Sequence, residues 1–233
     1  VLIDCRLERN VASRFGGGAF NSILKNSWLS ENSAANGGGT AQSYLESCVI
    51  SQNSATEKGG GIITGTVLNS RITGNRAVET GGGIYFAFAT NCIVATNSAR
   101  MGGGADMTTL ERCQIHGNIA YQSGGGVSES TVLAGALFEN RAALSGGGAT
   151  SSTLIHCTLA GNTASAGGGV NACNATNSII YFNSARTDAN FAAGILDHCC
   201  TFPVPTNGTG NIIADPQLVD FTHINPASPC VAQ

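Results

Sequence analysis

The chain has 233 residues, a formal net charge of −3 and only 11% charged residues. Its few Lys and Arg are scattered, so it lacks the basic patch that a nucleic-acid partner requires, and none is expected. No apolar run approaches the roughly 18 residues of a membrane-spanning helix, so no membrane insertion is expected, and the first residues lack the pattern of a signal peptide.

An asparagine recurs every 21 or 22 residues, at Asn10, Asn32, Asn53, Asn75, Asn97, Asn118, Asn140, Asn162 and Asn183. A repeat of this length means one structural unit stacked on copies of itself. In chain order, each unit opens eight residues before the asparagine on an aliphatic side chain such as Leu24, Leu45 or Leu110, with Ala89 and Ala175 as small exceptions. Six residues before it stands Asp4, Asn26, Asn69, Asn91 or Asn177 in five of the units, residues suited to a bend in the left-handed region. Five before it the residue is small (Cys5, Ser27, Cys48 and their equivalents), and three before it always aliphatic, from Leu7 to Ile180. This alternation predicts short strands with a buried face.

After each asparagine comes an alanine at the second position, and between successive asparagines sits a glycine triplet, starting at Gly16, Gly37, Gly59, Gly81, Gly102, Gly124, Gly146 and Gly167. From the first glycine to the next asparagine is always 16 residues, whereas from asparagine to glycine is 5 or 6. The register is therefore fixed over most of the unit, and length variation is confined to one turn. Glycine triplets cost a helix about 1 kcal/mol per residue, so no helix is expected. Strands and turns in 22-residue units give an all-β fold, a parallel β-helix of about nine coils, right-handed by the crossover rule. At about 4.8 Å per coil it is a rod of roughly 40 Å. The asparagine column predicts a ladder of side-chain amides, each donating to the next coil.

Residues 1–190 form the repeat domain. Residues 191–233 are read as an irregular capping segment of the same domain, and they hold all five prolines. Of nine cysteines, Cys5, Cys48, Cys92, Cys113 and Cys157 fall in the small inward column and read as packing residues. Cys92 and Cys113 are on neighbouring coils, where a disulfide is geometrically doubtful. Cys173, Cys199, Cys200 and Cys230 lie outside that column, and Cys230 is placed to staple the tail to Cys199 or Cys200.

A search for chemistry singles out no catalytic, cofactor-binding or metal-ligating residue. Glu57 and Glu79 match in position but sit in the variable turn and read as a solvated edge. Asp106 and Glu129 are one position out of phase. Arg6 and Arg71 share a column three coils apart, and His116 and His156 read as surface histidines. Thr109, Thr131 and Thr153, beside Thr108, Ser130 and Ser152, make a hydroxyl ladder of the kind that contacts sugar or ice. No glycine triplet continues into a phosphate loop, and none carries the aspartate of a calcium-binding repeat.

The motif Ile72-Thr73-Gly74-Asn75 with Gly82-Gly83-Ile84 resembles the repeat of chlamydial polymorphic outer-membrane proteins and, more broadly, of bacterial surface β-helix proteins. The tail Ala214-Asp215-Pro216-Gln217-Leu218-Val219-Asp220, with Ser228-Pro229-Cys230-Val231, is similar to segments that close such helices. The resemblance implies export and display at the cell surface, as an adhesin or passenger region. The chain reaches Val231-Ala232-Gln233 without the acidic or amide residue and glycine usual in such tails, so a downstream anchor is expected to be absent or cleaved. The expected function is a secreted or cell-surface structural or adhesive protein, more readily a non-enzyme. The alternative is a carbohydrate-active enzyme of pectate-lyase-like fold, a lyase or glycosidase. The first coil shows no cap, so a protein partner or self-association is expected there, and a surface glycan is a further candidate ligand.

Overall fold

The computed structural model describes residues 1–231; Ala232 and Gln233, on which the tail reading partly rests, lie outside the described residues. The chain winds into a parallel β-helix with three sheets running along the stack. The first two sheets each carry a path of ten strands, from Leu2–Ile3 to Gly194–Asp197 and from Arg6–Glu8 to Cys200–Thr201; the third has eight, from Ser33–Asn36 to Ser184–Thr187. Every pairing between these strands is parallel, and equivalent residues of successive coils face each other, as in Ile50, Ile72 and Val94. Strand pairing continues past the last of the nine repeat asparagines: Gly194–Asp197 pairs with Cys173–Thr176, and Cys200 with Ile179.

Inward columns build the core. The aliphatic side chains three residues before each asparagine are fully buried from Leu29 to Ile180, as are those eight before it from Leu24 to Leu154. Burying each Leu or Ile contributes about 1.5–3 kcal/mol, and the stack repeats the gain in every coil. The third sheet contributes only alanines, of which Ala55, Ala77 and Ala99 form their own small cluster.

Four left-handed corners turn each coil. The residue six before the asparagine is one of them, as Asp4, Asn26 and Asn69 predict, but Ser47, Arg112, Ala134 and His156 adopt the same conformation there. A second is the residue just before the asparagine, which is glycine at Gly74, Gly117 and Gly161 but Glu31 in one coil and Thr96 in another. The third falls five residues after the first glycine, at Thr64, Phe86 or Met107. The fourth is the first glycine of the triplet, as at Gly102 with φ +57°. The other two glycines answer to space rather than conformation. A Cβ on Gly103 would stand 2.5 Å from both the Gly125 and Ile119 carbonyl oxygens, and one on Gly104 would meet Gly126 O at 2.6 Å. The variable turn behaves as its lengths predict: Ala34 pairs with Ala55 but Asn36 with Lys58, so the extra residue is absorbed as a bulge.

The tail first closes the rod. Asn211 Oδ1 accepts from Cys199 N–H and its Nδ2 donates to the Leu196 carbonyl, while Thr201 and Ile212 complete a further rung. It then returns along the outer face of the second sheet, where Phe221 stacks on Phe138 with ring centroids 4.9 Å apart.

Candidate functional site

The asparagine column is the most ordered polar feature of the rod. In each interior coil the Oδ1 of one asparagine accepts both the backbone N–H and the Nδ2–H of the asparagine one coil earlier. Its own Nδ2 donates onward to the next asparagine and back to a carbonyl of the preceding coil, as Asn75 does to Asn97 and Ile50. These amides are buried and fully paired, which is what burial of a polar group requires. Where the repeat ends, Asn190 takes the place of the next asparagine: its Oδ1 accepts from Asn183, and its Nδ2 donates to the Phe202 carbonyl. Sequence spacing missed Asn190 because it lies seven residues from Asn183 rather than a full coil away.

The small column also does more than pack. Ser27, Ser70 and Ser178 each accept the N–H that the preceding coil leaves free at its corner. The cysteine thiols there donate weakly to carbonyls, Cys157 to Val132 and Ile155. Two cysteines set apart on sequence belong to inward columns after all. Cys199 stacks in line with Ser178 and sends its thiol to Ala175 O, and Cys173 continues the column of Ser130 and Ser152. The tenth rung has no asparagine to align by, and this hid the position of Cys199. Burial pushes the Cys157 and Cys199 thiols up to about 11 and the Cys173 thiol to about 12, so they are inert packing groups at neutral pH.

The remaining candidate residues separate. Glu57 is exposed and accepts from Asn36 Nδ2 at 2.8 Å, while Glu79 is half-buried. Arg6 pairs with Glu8, far from the exposed Arg71. Thr109, Thr131 and Thr153 do stack in register on the outside of the first sheet, but Thr108, Ser130 and Ser152 face inward and are buried. The hydroxyl ladder is therefore one column wide. His156 is exposed at a left-handed corner. His116 is not a plain surface histidine: its ring lies parallel to Phe138 at 4.6 Å, at one end of a stack that Phe221 completes on the other side of Phe138, and burial holds its pKa below the usual imidazole value.

Asp106 was unforeseen as a buried group. It follows the strand alternation to the outer side of the first sheet, yet it is only 3% exposed. The glycine turn folds the end of the third sheet back over it. Asp106 Oδ1, Thr80 Oγ1 and Ser128 Oγ are all buried without a hydrogen-bond partner. Burial raises the Asp106 pKa, and the nearby Ser128 and Thr80 hydroxyls offset this only in part. Glu129, on the next coil, is an exposed corner residue with φ 47°, and its charge adds to the rise. Among the described residues no group of three or more His, Cys, Asp or Glu is placed to hold a metal ion, and no helix is long and apolar enough to cross a membrane.

Residues 47–64 match the family model of the Chlamydia polymorphic membrane protein repeat. That stretch holds the landmarks of one turn: the corner at Ser47, the strand Val49–Ser51, Asn53 of the ladder, the triplet beginning at Gly59 and the corner at Thr64. No curated protein and no solved structure matches the chain. With its parallel coils and this repeat, the chain is a β-helix repeat protein similar to the polymorphic membrane proteins, a family associated with the outer membrane and cell surface.

Proposed function

We propose that this chain is a secreted or cell-surface structural and adhesive β-helix, a subunit of or docked on a larger assembly through its first coils. One observation carries the docking reading. Exposed apolar side chains gather at that end of the rod, with Ile3, Val11, Phe15, Phe20, Ile23 and Trp28 all well exposed on the first two coils. Beside them, the strands Leu2–Ile3 and Arg6–Glu8 are each paired on one side only. An apolar surface joined to a free parallel edge is a template for another β-rung. The partner that fits it is a protein strand with an aliphatic inward face, whether from further coils of the same polypeptide or from another molecule. The repeat match supports the surface setting. The carbohydrate-active alternative has less to stand on, because Asp106 is buried out of reach of a substrate while Glu129 and Glu57 are exposed at turns.

Sedimentation of the isolated chain tests the docking reading. Self-association that a charge at the edge abolishes, for example Ile3→Lys with Trp28→Glu, is the expected result. A stable monomer with an ordered, protease-resistant first coil would sink it.

A further inference from the structure

The strand Cys200–Thr201 alternates as the rest of the second sheet does, so Cys199 points into the core and Cys200 points out. Cys200 is nonetheless almost fully buried, because the returning tail lies over it: its thiol donates to the Ala214 carbonyl at 3.1 Å. Two residues on, Pro216 O accepts from Ser228 Oγ at 2.6 Å, and that same Oγ accepts the backbone N–H of Cys230 at 3.1 Å. This chain of contacts brings Cys230 back to the rung that holds Cys200. Both residues line one cavity of about 450 Å³, together with His156, His198 and Ile212. Burial first, and then the adjoining Cys230 thiol, push the Cys200 thiol up. Cys199 is no competitor, since its side chain is fully buried on the core side of the strand.

We infer that Cys200 and Cys230 are a disulfide-forming pair that locks the C-terminal tail onto the last rung of the rod. The two are thiols in this structure. Half-buried Cys230 is the more accessible and reacts first, its thiolate attacking an oxidising disulfide to give a mixed disulfide and release one thiol. The Cys200 sulfur then displaces the second thiol, so two cysteine thiols and one external disulfide become one internal disulfide and two external thiols. The two protons lost by the cysteines end on the released thiols. Beyond the hydrogen bonds of Asn211 and Ile212, the part of the closed loop after residue 214 would otherwise depend on exposed turns and the Phe221 contact. An oxidising compartment outside the cytoplasm is where such a bond persists, but the inference rests on the placement of the two side chains and not on the proposed surface role.

The test is made on the full chain, incubated with oxidised glutathione or with dithiothreitol, then mapped by digestion and mass spectrometry without reduction. The expected product links Cys200 to Cys230 and leaves seven of the nine thiols titratable after denaturation. Nine titratable thiols after oxidation, or a link from Cys230 to Cys199 or to any other cysteine, would overturn the inference. Limited proteolysis gives a second reading: oxidation should slow cleavage within residues 203–229 several-fold in the parent and leave Cys230→Ser unchanged. Equal slowing in both proteins, or none in the parent, would equally overturn it.

Discussion

The side chain of Asn118 donates to Asn140 Oδ1 at 2.9 Å while Asn140 Oδ1 also accepts the Asn118 backbone N–H at 3.1 Å. With the Val94 carbonyl below and Asn97 donating twice to its own Oδ1, one amide joins three coils. Asn118→Ala therefore removes more than two ladder bonds. It leaves the buried Asn97 N–H and Val94 carbonyl without their partner, so the loss should reach about 2–4 kcal/mol. Urea denaturation measures it, and a loss below about 1 kcal/mol would show that the ladder is incidental to stability.

Ile115 is fully buried between Val94 and Leu137 of the adjoining coils. Ile115→Val should cost about 0.5–1.5 kcal/mol, whereas Ile115→Asp sets an unpaired charge in the packed stack and should unfold the surrounding coils. Hydrogen exchange would map the damage. An Asp variant that melts within a degree of the parent would mean that the column does not face inward.

Gly103 and Gly74 separate two reasons for glycine. Gly74 has φ +65° but open space around it, the nearest atom to an added Cβ being 3.7 Å away, so Gly74→Ala should cost only the left-handed conformation, about 1–2 kcal/mol. Gly103 has an ordinary φ and no room, and Gly103→Ala should force neighbouring coils apart and cost distinctly more. Thermal melts of the two variants compare them directly, and an equal loss would contradict the steric reading.

Asp106 gives the rod a pH dependence of unusual sign for a carboxylate. Burial raises its folded pKa above the unfolded value, so the native state holds the proton more tightly. Its contribution is fully present below the unfolded pKa and is lost as pH rises through the folded one. Asp106→Asn should therefore be more stable than the parent at neutral pH, with the difference shrinking on acidification. Parallel stability profiles for the two proteins across the acidic range would contradict the assignment.

Phe221→Ala should release the returning tail from the stack on Phe138 and His116. A modest loss of about 0.5–1.5 kcal/mol is expected, with faster proteolysis near residue 221 and no change in the far-ultraviolet signature of the coils. A His116 titration unmoved by the change would count against the stack as the source of its burial.

Much of this molecule was legible without coordinates, because repetition multiplies weak signals. One coil with Ile72 three before Asn75 says little, but nine coils with the same spacing leave a single register in which all aliphatic columns are buried together. The fixed distance from glycine to asparagine located the bulge at Ala34–Asn36, and Asp4, Asn26 and Asn69 marked a corner that any residue can fill. What the repeat does not encode, the sequence could not show. The Asn190 amide that closes the ladder, and the tail that brings Phe221 to Phe138 and Cys230 towards Cys200, occur once each. They arise from contacts without period between distant segments, and chain packing alone decides which of those segments meet.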